Sequence, residues 1–113
     1  MSSERPVSEA LDSPLTIETA AAARDRLLSL LSAGKRIELD VSAMGSIDVP
    51  GMQVLVAAFR ESRERGVPMR IVGNVAPEAG RMIAVCGLSR SPCATGAELE
   101  ASIESILPPA RRV

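Results

Sequence analysis

The segment Lys35-Arg36-Ile37-Glu38-Leu39-Asp40-Val41 alternates with period two, placing Ile37, Leu39 and Val41 on one face and Glu38 and Asp40 on the other. It predicts a strand with one apolar and one wet face. Helical patterns flank it. Thr16 is placed to cap a helix whose apolar positions Ala20, Ala23, Leu27, Leu30 and Leu31 recur at helical spacing, with Gly34 just past its end. A second helix starts at about Val49 or Pro50 and runs into the charged stretch Arg60 to Arg65, with Gly66 as its stop. Met52, Leu55, Val56 and Phe59 form its apolar stripe, with Gln53, Arg60, Glu61 and Glu64 on or near the opposite side.

Met69 to Gly73 reads as a buried strand, and Pro77 opens a third helix through Met82, Ile83 and Val85 to Gly87. A short strand is expected near Leu88 to Cys93. Thr95 then caps a last helix with Leu99, Ile103, Ile106 and Leu107 along one side. At the other end, Val7 to Leu11 and Leu15 to Ile17 read as a hairpin closed by the turn Asp12-Ser13-Pro14. Strands alternating with helices make an α/β protein. One domain is expected over 7–107, with polar or proline-broken tails at 1–6 and 108–113.

Composition removes whole classes of chemistry. A chain of 113 residues builds one core and leaves no room for a separate catalytic domain. Histidine is absent, which excludes Ser-His and Cys-His nucleophile pairs, imidazole metal ligands and a histidine pH switch. Phe59 is the one aromatic residue, so no stacking platform for bases exists, and a net charge of −1 leaves no basic footprint for nucleic acid. Two cysteines make neither a four-Cys zinc site nor a disulfide framework. No signal segment or membrane span is visible, and a cytoplasmic location is expected.

The most unusual stretch is Ser42-Ala43-Met44-Gly45-Ser46-Ile47-Asp48-Val49-Pro50-Gly51, leading from the C-terminal end of the alternating strand into the second helix. In open α/β sheets this edge is where function usually sits. Asp48 falls at the helix N-terminus, where a carboxylate accepts from free first-turn amides and meets the positive end of the dipole. A cap accounts for Asp48 taken alone. Gly45 to Gly51 completes no P-loop, since no Gly-Lys-Ser/Thr follows. Cys86 reads as a small core residue in an apolar helix, and Cys93 as a loop residue with no base nearby. Met44, Met52, Met69 and Met82 read as core filler, although Met44 and Met52 flanking the loop could also form an adaptable binding surface. Arg60, Arg63 and Arg65 with Glu61 and Glu64 form a mixed, solvated face.

From Leu15 to about Leu107 the chain resembles the STAS domain family, named for sulphate transporters and anti-sigma-factor antagonists. The resemblance rests on Leu15-Thr16-Ile17-Glu18-Thr19-Ala20, on Ile37-Glu38-Leu39-Asp40-Val41-Ser42, and on Ile47-Asp48-Val49-Pro50-Gly51-Met52-Gln53-Val54-Leu55. Arg65-Gly66 and Cys86-Gly87-Leu88 agree with it. It implies a small mixed sheet of about four strands with helices packed mainly on one face. In the family, an Asp followed by Ser or Thr and ending in Gly starts the second helix, and the hydroxyl residue is commonly phosphorylated by a partner kinase. Here the Asp is Asp48, the Gly is Gly51, and the acceptor position is Val49, which has no hydroxyl. Pro50 also removes a first-turn amide that would help hold an anion. Ser46 and Ser42 are the nearest hydroxyls.

The resemblance implies a bacterial, non-enzymatic regulatory module acting in partner switching and transcription regulation. It would dock an anti-sigma factor or kinase-like partner through Ser46, Asp48, Val49, Pro50, Gly51, Met52 and Gln53. A second reading is the small STAS subunit of a lipid-transport ATP-binding complex, with a transporter ATPase as partner. A third, from another class, is a small enzyme using Asp48 and Cys93, but no second group completes its site. No catalytic residue, metal or cofactor is expected.

Overall fold

The computed structural model describes residues 5–108. Among them, three strands and four helices follow in the order β1 (Val7–Ala10), α1 (Ile17–Ser32), β2 (Ile37–Asp40), α2 (Val49–Arg65), β3 (Met69–Val72), α3 (Pro77–Val85) and α4 (Gly96–Ile106). The strands lie side by side in sequence order and pair in parallel, Val7 opposite Ile37 and Ile37 opposite Met69. Each parallel step needs a crossover, which α1 and α2 supply. The two helices pack against each other.

The alternation read in the sequence decides which face they cover. Ile37, Leu39, Met69 and Ile71 are buried while Glu38 and Arg70 are exposed. Leu27 and Leu31 from α1 and Leu55 and Phe59 from α2 complete the core on that face. Placing such side chains out of water contributes roughly 1.5–3 kcal/mol each. Helices α1, α2 and α3 end where glycines were read as stops, and Gly66 closes α2 in the left-handed region (φ 68°) with its amide bonded to the Arg63 carbonyl. Thr95 caps α4 as expected: its hydroxyl accepts from the Glu98 amide at 3.1 Å, and the Glu98 carboxylate accepts from the Ala94 amide at 2.7 Å.

Several expectations are corrected. The sheet has three parallel strands in place of about four in a mixed arrangement, and its antiparallel pairing among the described residues is an isolated bridge between Asn74 and Thr95. The hairpin does not form: β1 pairs with β2, and Leu15 makes a parallel bridge to Ile47. The strand near Leu88 to Cys93 does not form: Leu88 to Ser91 are bends, and Pro92 has no amide to give a ladder. The Met69 strand is buried on one face only, because Arg70 reaches solvent. Pro77 does start a helix, but Met82 is exposed and only Ile83 of its apolar trio is fully buried. Cys86, expected in the core, is exposed, whereas Cys93 lies in the expected loop and is buried there. Of the expected tails, 1–4 and 109–113 lie outside the described residues, and the Pro108 carbonyl accepts from the Arg63 guanidinium at 2.6 Å.

The edge of β3 is guarded by α4. Gly96 brings the start of α4 so near β3 that a Cβ there would fall 2.9 Å from the Val72 carbonyl carbon. One turn on, the Glu100 carboxylate accepts from the Ile71 amide at 2.9 Å and pairs with Arg70 at 3.2 Å. An edge amide that would otherwise invite another strand is thereby satisfied. Glu100→Ala should cost about 1–2 kcal/mol by urea denaturation, as expected for a charged acceptor removed from a partly buried amide. Glu100→Gln, which keeps an acceptor oxygen, should lose less.

Candidate functional site

The loop expected to carry function is built around one carboxylate. Asp48 is the N-cap of α2, with extended backbone (φ −120°, ψ −176°), and its Oδ1 accepts from the Gly51 amide at 2.9 Å. Its Oδ2 accepts at 2.9 Å from the amide of Ile17, the first residue of α1, 31 positions earlier. One side chain therefore caps two helices. Thr16, expected to cap α1, holds the N-cap position and donates its amide to the Thr19 hydroxyl at 3.0 Å.

The backbone on either side completes the joint. The Leu15 amide donates to the Ser46 carbonyl at 3.0 Å, and the Asp48 amide donates to the Leu15 carbonyl at 3.2 Å. Gly51 packs directly on this rung, since a Cβ would fall 2.0 Å from the Leu15 carbonyl oxygen. Glycine is required there for space. The Ser46 carbonyl, the Asp48 carboxylate and Gly51 thus meet the start of α1.

Val49, Met52 and Gln53 face the other way. With Val56, Ala57 and Arg60 they form one wall of a groove of about 540 Å³, opposite the Cys86-Gly87-Leu88 turn after α3 and Ile106 of α4. Val49 is 48% exposed and Ile106 52% exposed, so the groove presents apolar surface to solvent. The structure splits the seven residues singled out in the sequence: three build the joint, three line a groove, and Pro50 sits half-buried in the first turn of α2. The spacing 49, 52, 53, 56, 57, 60 carries the α2 wall in the sequence. The opposite wall has no local signal, because residues from two other helices meet it only through the fold.

A second turn lies nearby at the C-terminal end of β2. The Asp40 carboxylate accepts from the Ser42 amide at 2.9 Å. Hydrogen bonds from the Ser42 hydroxyl and amide hold Asp40 below the usual carboxylate range. A Cβ on Gly73 would meet both the Ser42 hydroxyl and the Asp40 carboxylate, so the turn is packed against the end of β3. No cluster of three metal-ligating side chains occurs among the described residues, and none of their helices is long and apolar enough to cross a membrane.

With a one-sided α/β sheet and a carboxylate-capped loop entering its second helix, the comparison with known families is specific. The model of the STAS domain matches residues 8–106, and the chain belongs to that family. STAS domains act as regulatory modules that mediate protein–protein interaction and are generally non-enzymatic. No curated protein and no solved structure matches the chain.

Two outcomes follow from this geometry. Asp48→Ala should cost about 2 kcal/mol by chemical denaturation, more than the ~1 kcal/mol of a single cap, because two helix ends lose their acceptor. In a carboxylate-detected NMR titration, Asp40 should titrate below an unstructured aspartate, and Ser42→Ala should return it toward the ordinary value. Since its folded pKa is lowered, the stabilisation it gives is present above the unfolded pKa and is lost as pH falls through the folded one.

Proposed function

We propose that this chain is a docking module of the anti-sigma-factor-antagonist kind, binding a kinase-like anti-sigma factor through the outward part of the loop and the groove side of α2. The observation that carries the reading is Val49. It stands where the family's phosphoacceptor would stand, directly after the capping Asp48, and it is half exposed at the groove. A presented surface with no hydroxyl is one that a kinase cannot switch at that position, so the module is held in its binding state. Pro50 supports this, because the first turn of α2 lacks one of the amides that would hold a phosphate. The same observation supports the second reading, in which the domain is a permanent subunit of a lipid-transport ATP-binding complex.

Val49 and Gln53 are the residues to change, since neither takes part in the Asp48 joint. Tagged wild-type chain captured from its native lysate should bring down a kinase-like anti-sigma factor. Val49→Asp and Gln53→Arg should weaken that capture by about tenfold, from buried unpaired charge at an interface, while leaving thermal unfolding unchanged. Retention of the partner by both variants would overturn the assigned surface, and a transporter ATPase in its place would select the second reading. Phosphate found at Ser46 in native protein would overturn the constitutive state.

A further inference from the structure

The groove beside α2 has a shape and a charge pattern that describe what fits it. Val49, Gln53, Val56, Ala57 and Arg60 follow one another at helical spacing along α2, a stripe roughly 16 Å long at 1.5 Å per residue. The opposite wall is apolar at Leu88 and Ile106. The groove is open to solvent along one side. An acyl chain laid there would keep much of its surface wet, whereas small-molecule sites bury most of their ligand. An amphipathic helix loses nothing by this, because its polar face is meant for water.

The charge is equally directed. Arg60 is the one formally charged residue lining the groove. Farther along α2, Arg63 pairs with Glu104 and Arg65 pairs with Glu61 at 2.6 Å. Among the described residues, no carboxylate pairs with Arg60. An apolar stripe ending in an unpaired guanidinium complements a helix whose apolar face ends in a carboxylate.

From this we infer that the α2 groove receives an amphipathic helix of a partner protein, about three turns long, with apolar residues at i, i+3 or i+4 and i+7 and an Asp or Glu at the end that meets Arg60. The inference rests on the docking reading above and names the chemistry of its partner. A displayed library of helical peptides of about 12 residues, with those apolar positions fixed and the rest randomised, tests it on the intact chain without the native partner. Selection should enrich an acid at one end. Ala57→Glu, an exposed helical position where glutamate is well tolerated, should weaken the selected peptides by about tenfold without changing the circular dichroism. Arg60→Glu should invert the preference to Lys or Arg, a charge swap that a merely structural arginine would not give.

No enrichment, or binders indifferent to Ala57→Glu, would overturn the inference. So would protection of the Cys86 thiol by micromolar dodecanoate with no peptide effect, or a dimer in sedimentation that Ala57→Glu dissolves. The two proposals fail separately. If the native partner is lost with Val49→Asp but ignores Ala57→Glu and Arg60→Glu, loop docking stands and the groove helix does not. If the peptides behave as expected but the captured protein is not kinase-like, the reverse holds.

Discussion

Two helix N-termini brought together are electrostatically awkward, because each presents free amides and the positive end of a dipole. In this fold α1 and α2 both begin beside the same rung of backbone, Leu15 against Ser46 and Asp48. The Asp48 carboxylate resolves the problem by accepting one amide from each. It supplies negative charge to both dipoles and ties positions 17 and 48 across the chain. Gly51 lets α2 come close enough for this to happen. The direction of α2, and so the side on which Val49 and Gln53 emerge, is set at this joint.

That geometry separates two roles that are adjacent in the sequence. A carboxylate engaged at both oxygens is a structural group, and its neighbour one residue on points into a groove open to solvent. A substitution at Asp48 therefore acts on the joint between α1 and α2, while a substitution at Val49 acts on the groove. A sheet covered on one face keeps the whole arrangement small. Its cost is a pair of open edges, of which β3 is closed by α4 through Glu100 and the close approach at Gly96.

Much of the fold was legible because its signals are local. The alternation of Ile37 to Val41, the helical spacing of Leu27, Leu31, Leu55 and Phe59, the cap at Thr95 and the glycine stops each depend on residues within a turn or two. The sequence also indicated the loop and Asp48 as a cap. It misjudged elements whose partners lie far along the chain. Val7 to Ala10 looked like half of a hairpin because Pro14 lies close by, yet it adds in parallel to β2 through a whole helix of crossover. Cys86 and Met82 looked apolar enough for the core, yet Ala79, Gly80 and Ile83 make the inward face of α3, leaving both at the surface.

What the sequence by itself determined, then, is the four helices, the central strand β2 with its buried face, and the chemistry available at the loop, since periodicity and capping are short-range. Tertiary structure alone decided that Asp48 would serve α1 as well as α2, that β1 would be an edge of a parallel sheet, and that Leu88 and Ile106 would face the stripe on α2. The physical reason is the same in each case. Contacts between residues tens of positions apart arise from packing one core against one side of a sheet, and no local pattern of side chains encodes which distant surface completes a groove or which distant amide a carboxylate will find.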